Sequence, residues 1–196
     1  MKKTIIAASL VLTSLLSYSQ TNTFFVEEQN YYNKSSVTPL AQIQGTHYGK
    51  DTKFGFWGFA MVTETWGELY AGPNYTVTLS SGRIVELGIA GGIEIDDDPI
   101  RGSAYIYSEK SPDSTSAKGK NVFYLTGEYG GSGYWYQGYF VYNVTRTVGL
   151  GVHAQYAGDI GPRLQWTKGH LQIWLSGGYN LEEKEPGGLS GLRITF

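Results

Sequence analysis

The chain has 196 residues, the length of one domain, with 41% hydrophobic and only 16% charged residues, against roughly 25% charged in typical soluble domains. A formal charge of −2, falling to −4 without Lys2 and Lys3, argues against a nucleic-acid partner. Cysteine is absent, so the chain uses no disulfides and lacks the cysteine that follows the signal of a bacterial lipoprotein.

The N-terminus reads as an export signal. Lys2 and Lys3 form a positive n-region, Ile5 to Leu16 a short apolar run, and Ser17-Tyr18-Ser19 supplies small residues where a signal peptidase reads them. Residues 1–19 are expected to be a signal peptide cleaved before Gln20, because the run is shorter than the ~20 residues of a spanning helix. Residues 20–37 leave three forms open: an ordered tail, a plug or a further strand. No later run is apolar enough for a membrane helix, so a membrane-spanning chain must be a closed barrel, which alone besides helices satisfies every backbone polar group in lipid.

The mature chain alternates apolar and polar residues with period two almost throughout. Leu69, Ala71, Tyr75, Val77 and Leu79 oppose Tyr70, Gly72, Asn74, Thr76 and Thr78. Val85, Leu87, Ile89 and Ile93 oppose Glu86, Gly88, Ala90, Gly92 and Glu94. Val148, Leu150, Val152, Ala154 and Tyr156 oppose Gly149, Gly151, His153 and Gln155, and Leu171, Ile173, Leu175 and Tyr179 oppose Gln172, Trp174 and Ser176. The polar face carries Gly, Thr, Asn, Gln, Glu and His rather than Lys/Glu pairs. Small polar side chains inside and apolar ones outside is the transmembrane-barrel pattern; a soluble sandwich shows the same alternation with the apolar face inward.

The predicted strands are 53–65, 67–79, 83–94, 101–109, 120–129, 133–144, 147–157, 159–167, 169–181 and 188–196. Turn residues separate them at Ser80-Ser81-Gly82, Asp96 to Pro99, Ser111 to Gly119, Gly130 to Gly133, Gly158-Asp159 and Glu182 to Gly188. These make about ten strands; residues 38–48 offer another, and such barrels prefer an even count, so the range is eight to twelve. Pro73 removes a ladder donor and is expected at a bulge. The longest loop, 110–119, falls at the end that holds the C-terminus, where such barrels keep turns short; a miscounted strand is expected to repair this. Trp57, Trp66, Tyr105, Tyr107 and Tyr129 to Tyr142 lie near strand ends, where aromatic residues favour the headgroup level.

The chain closes on Leu192, Ile194 and Phe196 at alternate positions. This resembles the terminal strand of Gram-negative outer-membrane β-barrels, an aromatic last residue with apolar residues two and four before it. The resemblance implies an antiparallel up-and-down transmembrane β-barrel over 38–196, with Leu192, Ile194 and Phe196 read by the barrel-assembly machinery.

Chemistry-bearing motifs are sparse. His47, His153 and His170 have no partner at metal-ligand spacing, and no cofactor motif is present. The lipid A deacylases, eight-stranded outer-membrane barrels with Ser, His and an acid, carry a His-x-Ser signature; here Gly49, Gln155 and Gln172 occupy that second position. Glu94 to Asp98 forms an acidic turn without the glycine and closing glutamate of a calcium loop, and reads as solvated. Tyr134 to Tyr142 reads as a strand wall rather than a sugar platform. Glu86, Glu128, Arg163 and Arg193 fall on the polar face. Buried charges must be paired, so these four are expected to form an interior ion-pair network; the functional alternative is a charged constriction.

The sequence therefore predicts a cell-outer-membrane barrel with a structural, accessory or narrow-pore role. Its expected partners are the lipid bilayer, the barrel-assembly machinery and other envelope proteins. The alternatives are an outer-membrane lipid-modifying enzyme, which needs a nucleophile near His153, and a soluble secreted glycan-binding β-protein.

Overall fold

A computed structural model describes residues 21–34, 36–49, 52–95, 98–111, 117–156, 160–180 and 184–196; the expected signal peptide lies outside them. Twelve antiparallel strands close into one barrel: β1 (Thr21–Tyr32), β2 (Val37–Tyr48), β3 (Phe54–Val62), β4 (Gly67–Thr78), β5 (Ile84–Glu94), β6 (Ile100–Lys110), β7 (Asn121–Gly130), β8 (Gly133–Asn143), β9 (Val148–Gln155), β10 (Ile160–Lys168), β11 (Leu171–Asn180) and β12 (Glu185–Thr195). Neighbours in sequence are neighbours in the wall, and β1 closes the barrel on β12 from Phe25↔Thr195 to Tyr32↔Gly188. Closure leaves no strand edge unpaired.

The count reaches the top of the expected range because residues 21–32 are neither tail nor plug but wall. Their outward row, Phe24, Val26, Glu28, Asn30 and Tyr32, includes two polar residues, which weakens the period-two signal.

The apolar row of every strand faces out. Leu87, Ile89, Ile93, Leu150, Val152 and Leu175 are exposed, whereas Asn74, Glu94, His153, Gln155 and Ser176 are buried in the lumen. A soluble sandwich would bury the first set, so this arrangement contradicts that alternative. Two aromatic rings edge the apolar band: Tyr32, Tyr129, Tyr134 and Tyr179 at one end, and Phe24, Phe54, Tyr75, Tyr142, Trp166 and Phe196 at the other, the terminal end, where β1 begins and β12 ends. Trp57, Tyr105 and Tyr107 do not join these rings. They stand at inward positions of β3 and β6, and Trp57 and Tyr105 are buried. Position near a strand end suggested the headgroup level, but strand parity decides the direction.

Adding strands at the N-terminus cannot move the long connection. Six strands, β7 to β12, follow residues 111–120, so that connection stays at the terminal end. The opposite end carries only short connections, 33–36, 63–66, 95–99, 131–132, 156–159 and 181–184.

Pro73 needs no bulge. The β4–β5 pairing runs Ala71↔Gly91 and then Asn74↔Gly88, skipping Gly72 and Pro73 without changing register. Pro162 repeats the device, since β10 pairs β11 at Ile160↔Tyr179 and next at Arg163↔Ser176. The preceding glycines let the strands crowd there: a Cβ on Gly72 would lie 2.0 Å from the Ile89 carbonyl oxygen, and one on Gly161 2.0 Å from that of Gly177.

Candidate functional site: a filled lumen between two vestibules

Inward-facing side chains divide the lumen. A vestibule of about 440 Å³ at the end opposite the termini is lined by Tyr31, Leu40, Met61, Trp66, Trp135 and Asn180 among others. A second, of about 520 Å³, opens at the terminal end beside Tyr48, Tyr107, Tyr124, Tyr139, Arg193 and His170. The two share no wall residue. Between them Trp57, Tyr70, Trp174, Glu27, Gln29 and His153 are all at most 2% exposed. No folded-in loop or helix fills this midsection among the described residues; side chains from the wall do.

The interior charges form separate clusters, because strand register brings together residues distant in sequence. On β4 to β7, Arg101 faces three carboxylates: its Nε is 3.4 Å from Glu68, its Nη1 3.0 Å from Glu94 and its Nη2 3.7 Å from Glu128. All four side chains are at most 1% exposed. The Arg101 Nε–H donates to the Tyr70 hydroxyl, which lies 2.8 Å from Glu68 and 3.1 Å from Glu128. Glu94 also accepts from the Ser132 backbone N–H and hydroxyl and from the Trp66 indole. One guanidinium and four neutral donors, the Tyr70 hydroxyl shared between Glu68 and Glu128, thus stand in for the water the three carboxylates lose.

Across the lumen, Glu27 accepts from Arg193, from the Trp174 indole at 3.1 Å and from the Gln29 amide at 2.7 Å. Arg163 has no carboxylate within ion-pair distance among the described residues. It lies over the rings of Tyr139 and Trp174 and donates to His153 Nδ1 at 3.2 Å. His153 Nε2 sits 3.1 Å from the Gln155 side-chain Oε1, so both ring nitrogens are occupied in the neutral Nε2–H tautomer. The ring stacks on Trp174 at 5.0 Å. No Ser or carboxylate contacts His153 among these bonds, and it faces the lumen rather than the lipid.

Glu86 stands apart, half-buried in the vestibule at the terminal end, and accepts from the Tyr48 and Tyr105 hydroxyls, the Asn74 amide and the Thr76 hydroxyl. The four charges named from the sequence all point inward, yet none is the ion-pair partner of another. The partners Glu27 of Arg193 and Arg101 of Glu128, and Glu68 that shares Arg101, escaped notice: Glu27 lay in the unassigned stretch 20–37, and Glu68 and Arg101 stand at strand starts. Of the acidic turn, Asp96 and Asp97 lie outside the described residues, and Glu94 turns inward to Arg101 rather than to solvent.

No family model matches the chain, and no curated protein matches it. Among solved structures, a KdgM porin superposes over 88% of this chain and 99% of its own at 11% identity and a TM-score of 0.57. A variant of the Rh. blastica porin covers 89% of this chain and 99% of its own at 8% identity, with a TM-score of 0.36 that carries no argument. The chain has the fold of an outer-membrane β-barrel; no specific family is assigned.

Proposed function

We propose that this chain is a narrow-pore barrel of the Gram-negative outer membrane, exported with its signal peptide removed and folded by the barrel-assembly machinery. The observation that carries this is the pair of vestibules opening at opposite ends of one closed barrel, separated only by side chains. A lumen plugged solely for stability needs no such cavities at both mouths. The superposed KdgM porin is named as a porin, which favours a pore over a purely structural role. The midsection sets the passage: Trp174 and Arg163, stacked on each other, and Tyr70 fill it from the wall, and solutes pass only as these side chains yield.

The test is the mature chain in planar lipid bilayers, after a boiled-versus-unboiled gel shift has established a folded barrel. Small, discrete conductance steps are expected. A gel-shifted barrel that never conducts would overturn the pore and leave a structural role.

A further inference from the structure

Among the described residues, one charged side chain stands on the outward face away from a strand end: Glu28. Lys110 and Lys168, the other outward charges within strands, are the last residues of β6 and β10. Glu28 lies midway between two aromatic-ring residues of its own strand, four positions after Phe24 and four before Tyr32. At roughly 3.4 Å per residue and a tilt of about 40°, that is about 10 Å from either ring. The carboxylate therefore points at the middle of the apolar band, where lipid offers it no donor.

Its surroundings are polar and small. Asn30 stands two residues along, its amide 3.5 Å from the Glu28 carboxylate, too long for a strong bond. The outward cross-strand neighbours are Ala41 and Leu192 beside Glu28, and Pro39 and Ser190 beside Asn30. Gly188 and Gly177 continue the low strip, and a Cβ on Gly177 would meet nothing. The Tyr32 hydroxyl, 3.0 Å from Ser190, caps it.

We propose that this strip is a contact between two copies of the chain in the membrane. A two-fold axis beside β1 would set the Asn30 amide of each copy against the Glu28 carboxylate of the other, so one patch supplies both acceptor and donor, as an isologous interface requires. The small residues let the two walls approach closely enough for that bond, as they do wherever membrane-embedded elements pack. The inference rests on the barrel spanning a bilayer, which the gel shift and membrane fractionation check separately.

The experiment is the mass of the mature wild-type protein in lipid nanodiscs, with short-span cysteine crosslinking of native membranes. The chain has no cysteine, so Ala41→Cys reports the strip and Leu150→Cys, on the opposite wall, serves as control. A dimer mass, a dimer crosslink at Ala41→Cys alone, its loss in Glu28→Leu and its retention in Glu28→Gln are expected. A monomer mass, equal crosslinking at both positions, or a crosslink to a different protein would overturn the proposal. Should the cysteine variants fail to fold, the wild-type mass decides.

Discussion

The guanidinium of Arg163 lies 4.1 Å from the centroid of the Trp174 indole, and both side chains are buried inside the barrel. Among the described residues Arg163 has no carboxylate partner, so ring faces and the neutral His153 take the place of a counter-charge. Trimming Trp174 removes the largest fully buried obstacle on β11 and frees Arg163 to line an open passage. Trp174→Ala is expected to raise single-channel conductance several-fold over the wild type and to shift reversal potentials towards anions in a salt gradient. Unchanged conductance in a correctly folded variant would place the constriction elsewhere.

Arg101 alone faces three buried carboxylates. Replacing it with methionine keeps the stem but leaves Glu68, Glu94 and Glu128 without a cation, and removing one partner of a buried pair typically costs roughly 3–5 kcal/mol. The expected result for Arg101→Met is a clear fall in the gel-shift melting temperature at neutral pH. Recovery should follow as pH falls, since protonated carboxyls no longer need the guanidinium. Lysine should rescue only in part, because one ammonium cannot reproduce the fork that reaches three acceptors. A midpoint equal to wild type would show that the cluster does not stabilise the barrel.

Period-two alternation carried the wall of the barrel legibly. The outward rows read from Val85 to Ile93 and from Leu171 to Tyr179 are the rows the structure exposes. Strand β1 was illegible because Glu28 and Asn30 interrupt its apolar row. The interior partners were beyond local pattern. Glu27 meets Arg193 across 166 residues because β1 closes on β12, and no spacing encodes that register. Trp57 and Tyr105 misled for a different reason: a twelve-strand lumen is wide enough to need large aromatic side chains inside, so their presence near strand ends was no sign of the membrane surface.

Phe196 is the last element of the seam. Its backbone N–H donates to the Phe24 carbonyl at 2.7 Å, and the two rings lie 5.6 Å apart on the outward face. Leu192 and Ile194 share that face, paired across from Glu28 and Val26. None of the three packs into the lumen, so their value to the finished barrel is that of a cross-strand surface contact, about 0.2–1 kcal/mol. Recognition by the assembly machinery would instead act before closure, while the row of β12 is unpaired. The two roles separate in Phe196→Ala. The amount of folded barrel assembled in cells should fall several-fold, while the same variant refolded into detergent keeps its gel-shift midpoint within a few degrees of wild type. An equal loss in both assays would make Phe196 a clamp on the β1–β12 seam rather than an assembly signal.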